Sequence, residues 1–140
     1  MYPIDASLAP EACAAAYAAS LCGVAGLERP QLDLVLLGMG PDGHTASLFP
    51  GHPLLQERGV VASIIDSPKP PPWRVTFTLP TICAAHAVAF IATGASKAPV
   101  LRDIFGEGAA RSLLPAALVR QSGHELPTWF VDPAAVEFET

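Results

Sequence analysis

The run GMGPDGHT, residues 38 to 45, contains the residue types best suited to proton chemistry, an aspartate and a histidine two positions apart. A histidine can act as a general base near neutral pH, and a nearby carboxylate can hold its tautomer or support the site. Asp42 and His44 are therefore the candidate catalytic residues. A structural alternative stays open at this point, in which Asp42 caps a short helix and His44 lies on the surface.

The same run also matches a dinucleotide-binding fingerprint, because its three glycines follow a strand-like segment and an aspartate lies further along the chain. These residues are Gly38, Gly40, Gly43 and Asp66. Such a site needs a long helix after the third glycine. Prolines and glycines between positions 50 and 59 leave room for a helix of about two turns at most, over residues 45 to 49. The glycines instead predict a tight loop that leaves the carboxyl end of a strand and presents the two candidate residues at a crevice.

The elements that must position this loop alternate between strands and helices. The apolar run LDLVLLG, residues 32 to 38, ends at a glycine and is typical of a parallel strand that is covered on both faces. Further strands are predicted over residues 59–66, 74–79, 87–94 and 127–132, and helices over residues 10–22, 95–106 and 133–139. This order predicts an α/β fold, doubly wound, with a mostly parallel sheet and flanking helices, in a single domain over residues 1–140.

Composition excludes several other classes of protein. The 140 residues are 51% apolar and 15% charged, which is typical of one folded domain rather than a disordered chain. A net charge of -5 without a basic run argues against binding nucleic acid or an anionic membrane, and no apolar run approaches a membrane-spanning length. Three separated cysteines predict reduced thiols in a cytoplasmic protein, without a disulfide framework or a zinc site.

Five segments, taken together, resemble the latter half of the 6-phosphogluconolactonase family, whose superfamily also includes glucosamine-6-phosphate isomerase. They are DLVLLGMGPDGHTASLFPGHPLL, DSPKPPPWRVTFTLP, ATGASKAPVL, LPAALV and WFVD. The resemblance runs from about Ile4 to Ala135. It implies a doubly wound α/β fold and hydrolysis of 6-phospho-D-glucono-1,5-lactone to 6-phosphogluconate in the oxidative pentose phosphate pathway. It further implies that His44 is the general base, that Asp42 supports it, and that no metal or organic cofactor takes part.

The resemblance also implies residues for the small-molecule partner, a sugar-phosphate lactone. Lys69, Arg74 and Lys97 match basic positions of the family and are expected to meet the phosphate. Gly40 and Gly43 belong to the motif that surrounds the substrate. An alternative for Arg74 and Lys97 is that they are solvated ends of a strand and a helix. The oligomeric state is not indicated by the sequence.

One position distinguishes the two activities of the superfamily. The isomerase, by resemblance, continues its Gly-His with an Ile-Ala-Phe-Asn-Glu-Pro type of sequence, and its glutamate serves a proton relay with the histidine. The fifth residue after His44 is Phe49. Because a phenyl ring cannot carry a proton, the lactonase activity is favoured and the isomerase activity is disfavoured.

The chain departs from the family in its length. A typical lactonase is considerably longer and carries, in its first half, a Gly-Gly-Ser/Thr phosphate loop and an Asp-Glu-Arg strand end, and neither occurs in this sequence. The chain is therefore predicted to be the C-terminal portion of one lactonase-like domain, truncated of its N-terminal half. Its first strand would then expose apolar surface, and hydrolysis is expected to be weak or absent. The alternative is a non-catalytic fragment that binds a sugar phosphate or pairs with another subunit.

Overall fold

The structure, a computed structural model, describes residues 1–106, 113–120 and 125–137. The helices are α1 (Pro10–Ala25), α2 (Leu79–Cys83), α3 (Ala98–Phe105), α4 (Pro115–Leu118) and α5 (Pro133–Val136). The strands are β1 (Leu34–Gly38), β2 (Val61–Ile64), β3 (Arg74–Phe77), β4 (Ala87–Ala92) and β5 (Thr128–Val131). Short 3-10 helices cover Pro53–Gln56 and Ala95–Lys97. Every predicted strand is confirmed, as are the helices after Pro10, at residues 98 to 105 and after Pro133.

The main sheet is parallel, with strand order β1-β4-β5. Leu36 of β1 lies opposite Ala89 of β4, and Ala89 lies opposite Thr128 of β5. Strands β2 and β3 form a separate antiparallel pair. Because the three strands of the main sheet run in the same direction, the loops that follow them meet at one edge, where open α/β sheets bind ligands. The α/β class with a parallel sheet and flanking helices is confirmed.

One face of this sheet carries the hydrophobic core. Side chains from alternate positions of β1 and β4 pack against α3, α4 and α5. The ring of Phe90 stacks on Trp129 of β5 with 4.1 Å between centroids, and Phe105 of α3 meets the same indole edge-on. These contacts hold α3 against the sheet. The first turn of α3 meets the loop that follows β1, where Val100 lies 3.2 Å from the position that a Cβ at Gly43 would take.

The opposite face of the sheet is apolar and exposed. Leu34 and Leu36 are 55% and 62% exposed, and Ile91 and Phe130 of the neighbouring strands are 53% and 58% exposed. A groove of about 470 Å³ separates this face from the β2-β3 pair. The prediction that the first strand exposes apolar surface is confirmed. The prediction that it is covered on both faces is wrong for the residues described, because α3, α4 and α5 all pack on the other side.

The helix predicted over residues 45 to 49 is wrong. Thr45 and Leu48 instead exchange backbone hydrogen bonds of 3.3 and 2.9 Å across a tight turn, in which Ala46 has a φ of 50°. The turn places the side chains of Leu48 and Phe49, 0% and 1% exposed, inside the protein. Burial of these two large apolar side chains therefore overrides the local preference for a helix.

Three further properties bear on the chemical class of the chain. Cys13, Cys22 and Cys83 are all free thiols. The described residues contain no helix with the length and apolarity that a membrane crossing requires. Within those same ranges there is also no cluster of three or more histidine, cysteine, aspartate or glutamate side chains that could hold a metal ion.

Candidate active site

The loop after β1 is closed by its own backbone hydrogen bonds. The amide of Gly40 donates to the carbonyl of His44 at 2.9 Å, and the amide of Gly43 donates to the carbonyl of Gly40 at 3.0 Å. The hydroxyl of Thr45 donates to the carbonyl of Gly38 at 2.8 Å and ties the loop to the end of the strand. A turn and a 3-10 helix follow, so the long helix that dinucleotide binding requires is not formed.

Asp42 and His44 form the pair that their spacing predicted. Nδ1 of His44 lies 2.6 Å from Oδ1 of Asp42. A lone pair on Nδ1 would repel the carboxylate at this distance, so Nδ1 carries the proton and donates it. Asp42 caps no helix in the described residues, which makes the capping alternative wrong.

The other ring nitrogen of His44 is available for proton transfer. Nε2 of His44 has no hydrogen-bond partner among residues 1–106, 113–120 and 125–137. In the same ranges, every buried side-chain nitrogen and oxygen has a hydrogen-bond partner. Nε2 is therefore open to solvent, while the side chain as a whole is only 18% exposed. His44 lines an open recess of about 410 Å³ together with Met39, Gly40 and Ala46. A protonated Nδ1 with a free Nε2 lone pair is the arrangement that a histidine general base needs.

Lys69 completes the cluster by a contact that sequence spacing does not show. Its Nζ lies 2.8 Å from Oδ2 of Asp42 and 3.4 Å from Nδ1 of His44. Burial raises the pKa of the Asp42 carboxyl, but hydrogen bonds from Lys69 and His44 lower it by more than burial raises it. The resulting pKa is about 2. Asp42 is therefore ionised throughout the physiological range and can hold both partners at once.

The low pKa of Asp42 predicts how its contribution to stability changes with pH. A carboxyl whose pKa is lower in the folded chain than in the unfolded chain stabilises the fold fully at a pH above its ordinary pKa of 3.8. This stabilisation is lost as the pH falls toward about 2. We expect the difference in unfolding free energy between the parent and Asp42→Asn to shrink as the pH falls from about 5 toward 2. Urea unfolding at several pH values measures this difference. A difference that does not vary with pH would contradict a pKa of about 2 for Asp42.

Phe49 forms the wall behind the histidine. The two rings stack with 4.7 Å between centroids and 30° between planes, and Phe49 is 1% exposed. Sequence reasoning treated Phe49 only as the residue that lacks the isomerase carboxylate, and did not foresee this contact. The stack limits rotation of the imidazole, so that Asp42 and Phe49 together set the direction of Nε2.

The two glycines of the loop are required for different reasons. A Cβ at Gly40 would overlap the imidazole of His44 and the carboxylate of Asp42, so this position must be empty for the pair to form. Gly43 has a φ of 78°, and a Cβ there would approach Leu114 to 2.8 Å. Both glycines therefore shape the loop, and a direct contact with substrate stays a prediction.

Arg74 and Lys97, both predicted to meet phosphate, lie in different surroundings. Arg74 begins β3 and donates hydrogen bonds to three backbone carbonyls of the proline-rich loop. Lys97 precedes α3 at the carboxyl edge of the sheet, and its side chain makes no hydrogen bond or ion pair with any residue that the structure describes. Only Lys69, of the three predicted basic residues, directly contacts the Asp42–His44 pair in that part of the chain.

Asp132 supports the same edge of the sheet and was missed at the level of sequence. Its Oδ1 accepts hydrogen bonds from the amide of Gly94, at 2.9 Å, and from the amide of Ala135, at 3.0 Å. An aspartate before a proline at a helix start is a capping pattern, which was a readable signal. The same carboxylate joins the end of β5 to the loop after β4.

Comparison with known proteins adds the family. The chain is 54% identical over 134 residues to the rat protein "6-phosphogluconolactonase", covering 94% of this chain and 51% of the rat protein. It is 57% identical over 112 residues to the human protein of the same name, covering 79% and 43%. The crystal structure of 6-phosphogluconolactonase from Leishmania guyanensis matches with a TM-score of 0.76 and 33% identity, over 90% of this chain and 52% of that one.

The matches show the family of the chain, and they also show that the chain corresponds to only part of each relative. The chain spans about half the length of the curated relatives that it matches. The model of the family described as "Glucosamine-6-phosphate isomerases/6-phosphogluconolactonase" matches residues 1–129, nearly the whole chain. With relatives named as lactonases more than 50% identical to it, the chain belongs to the glucosamine-6-phosphate isomerase/6-phosphogluconolactonase family, as the motifs of its sequence indicated.

Proposed function

We propose that this chain contributes the general base for hydrolysis of 6-phospho-D-glucono-1,5-lactone to 6-phosphogluconate in the oxidative pentose phosphate pathway. One observation carries the proposal: His44 donates from Nδ1 to Asp42 and leaves Nε2 open at a recess beside the carboxyl edge of a parallel sheet. The lactonase names of the relatives supply the substrate class.

The chemistry follows from the state of the imidazole. Nε2 of His44 takes a proton from water while the water oxygen adds to the lactone carbonyl carbon. The tetrahedral intermediate then breaks its bond to the ring oxygen, and the departing alkoxide takes the proton back from Nε2. Asp42 stabilises the imidazolium that forms between these steps, because its carboxylate stays ionised beside Nδ1.

The phosphate of the substrate requires cationic groups, and the three basic residues differ in how free they are. The ammonium of Lys69 is paired with Asp42, and the guanidinium of Arg74 is bonded to carbonyls. Lys97 has no such partner among the residues described, and it lies at the same edge of the sheet. We propose Lys97 as the first phosphate contact, with the loop of Gly40 and Gly43 against the lactone ring.

The proposed activity is expected to be weak in this chain. The apolar face that carries Leu34 and Leu36 lacks a cover in the described structure, and an exposed face of this kind favours self-association over a stable pocket. An isomerase activity is disfavoured, because the buried phenyl ring of Phe49 stands beside His44 and carries no proton. A cytoplasmic location stays a prediction.

The decisive experiment combines a hydrolysis assay with a binding measurement on the purified chain. Lactone hydrolysis is followed against the rate without protein, and 6-phosphogluconate is titrated in a calorimeter. Hydrolysis above the uncatalysed rate that is lost in His44→Gln supports the proposal. Binding without turnover identifies a sugar-phosphate-binding module, the alternative favoured by the incomplete surroundings of the sheet. If the chain neither binds 6-phosphogluconate nor hydrolyses the lactone, the proposal for this chain is overturned.

A further inference from the structure

The side chain of Arg74 is used to hold backbone rather than left free for a ligand. Its Nε donates to the carbonyl of Pro71 at 3.0 Å, and its Nη2 donates to the carbonyls of Lys69 and Pro70 at 2.9 and 2.8 Å. Three consecutive carbonyls thus accept from one guanidinium. A planar guanidinium can bridge several acceptors in a fixed geometry, which an ammonium on a flexible stem cannot do.

The loop needs a hydrogen-bond donor from outside because few of its own residues carry an amide proton. Residues 67 to 72 read SPKPPP, and four of these six residues are prolines without an amide proton. The loop forms three internal hydrogen bonds: from the hydroxyl of Ser67 to the carbonyl of Lys69 at 2.8 Å, from the amide of Lys69 to the hydroxyl of Ser67 at 3.3 Å, and from the amide of Ser67 to the carbonyl of Pro72 at 3.1 Å. The carbonyls of Pro70 and Pro71 receive their bonds from Arg74.

Arg74 itself has a rigid position. It is the first residue of β3, where it lies opposite Ile64 in the antiparallel pair. Its guanidinium carbon lies 5.5 Å from the centroid of Phe49, on a ring that also stacks against His44. The strand fixes the backbone of Arg74 and the aromatic ring supports its head group, so the loop is held against the same wall as the imidazole.

We propose that Arg74 is a positioning residue that acts through Lys69: it fixes the proline-rich loop so that the Lys69 ammonium stays on Asp42 and thereby orients His44. The inference rests on the proposed function of that pair. It differs from the phosphate-binding role that the family resemblance implies for Arg74, because three hydrogen bonds of the guanidinium already end on carbonyls.

The two roles predict different coupling between Arg74 and Lys69. A positioning role makes the effects of Arg74→Met and Lys69→Met overlap, because both remove the same ammonium from Asp42. A phosphate-binding role makes the effects on ligand affinity independent and therefore additive. A double-mutant cycle on the full chain distinguishes the two.

The cycle is measured by the titration of the Asp42 carboxyl, followed by carbon-13 NMR, which requires no turnover. In the parent we expect the carboxyl to titrate well below 3.8, and in Lys69→Met we expect its pKa to rise toward 3.8. Arg74→Met is expected to raise it in the same direction, and the double variant no further than Lys69→Met alone. Arg58→Met is the control, because Arg58 is exposed and has only its backbone in a described contact.

Amide spectra of each variant establish that it is folded. The Lys69→Met variant measures the effect of losing the Lys69 ammonium on the Asp42 titration while Arg74 is intact. An Asp42 titration in Arg74→Met that matches the parent would overturn the proposal, as would additive shifts in the double variant. Loss of 6-phosphogluconate affinity in Arg74→Met, without change at Asp42, would instead establish the phosphate role. Because the titration does not depend on catalysis, an inactive chain would contradict the proposed function without deciding the role of Arg74.

Discussion

Replacement of His44 by glutamine is expected to lower kcat/KM for lactone hydrolysis by about 10²–10⁴, the usual contribution of a general base. Glutamine retains a polar side chain that can still reach Asp42, but its amide cannot accept the proton of an attacking water. The loss should appear mainly in kcat, because Nε2 acts on the water rather than on the phosphate. The measurement is a steady-state assay of the parent and the variant across a range of pH.

His86→Gln is the matched control for this prediction. His86 is exposed, and its described contact is through its amide, which donates to the carbonyl of Leu32 at 2.9 Å. Its replacement should leave turnover unchanged. Parent-like turnover in His44→Gln, in protein with parent-like amide spectra, would remove His44 from the mechanism and leave the Asp42 pair as a structural contact.

The second large effect is expected from one added methyl group at Gly40. The Cβ of alanine would occupy the space of the His44 imidazole and the Asp42 carboxylate, and the three atoms nearest to it belong to these two side chains. The imidazole must therefore move. A displacement of about 1 Å at a reacting group costs on the order of 10²-fold in rate, so Gly40→Ala should lose about 10² in kcat/KM.

The fold should survive this substitution, because Gly40 does not have a positive φ and its neighbours are side chains of the site. The free energy of unfolding is expected to fall by about 1–3 kcal/mol, the usual cost of adding a methyl group where no space is free. Gly23→Ala is the matched control, since a Cβ there meets nothing within 4 Å and Gly23 lies in α1, outside the residues that line the recess. Full turnover in Gly40→Ala, or an equal loss in Gly23→Ala, would show that the close packing around Gly40 does not matter for catalysis.

Both predictions depend on an arrangement that local sequence only partly specifies. The Asp42–His44 pair was predictable, because a tight loop brings together two side chains that are separated by a single glycine. The turn that carries them was not. A helix over residues 45 to 49 satisfies local preference, but Leu48 and Phe49 are buried only when the chain turns instead. Long-range packing therefore decided the backbone on which the pair stands.

The basic residues show the same division. Resemblance alone assigned Lys69 and Arg74 to a phosphate, since both are cations in characteristic segments. In the structure, Lys69 reaches Asp42 across 27 positions of sequence, and Arg74 bonds the loop that carries Lys69. Contacts between segments so distant in sequence depend on how the β2-β3 pair is placed beside the main sheet, which no periodicity encodes.

The sequence by itself determined the alternation of strands and helices, the family and the two residues that pair in the loop after the first strand. Each of these is written in local patterns: apolar runs that end at glycine, prolines at helix starts, and a short motif of specific residues. Only the tertiary structure decided which ring nitrogen of His44 is free, which cation holds Asp42, and which face of the sheet stays open. Those properties depend on distances between side chains, such as the 2.8 Å from Lys69 to Asp42, and such proximity exists only after the chain has folded.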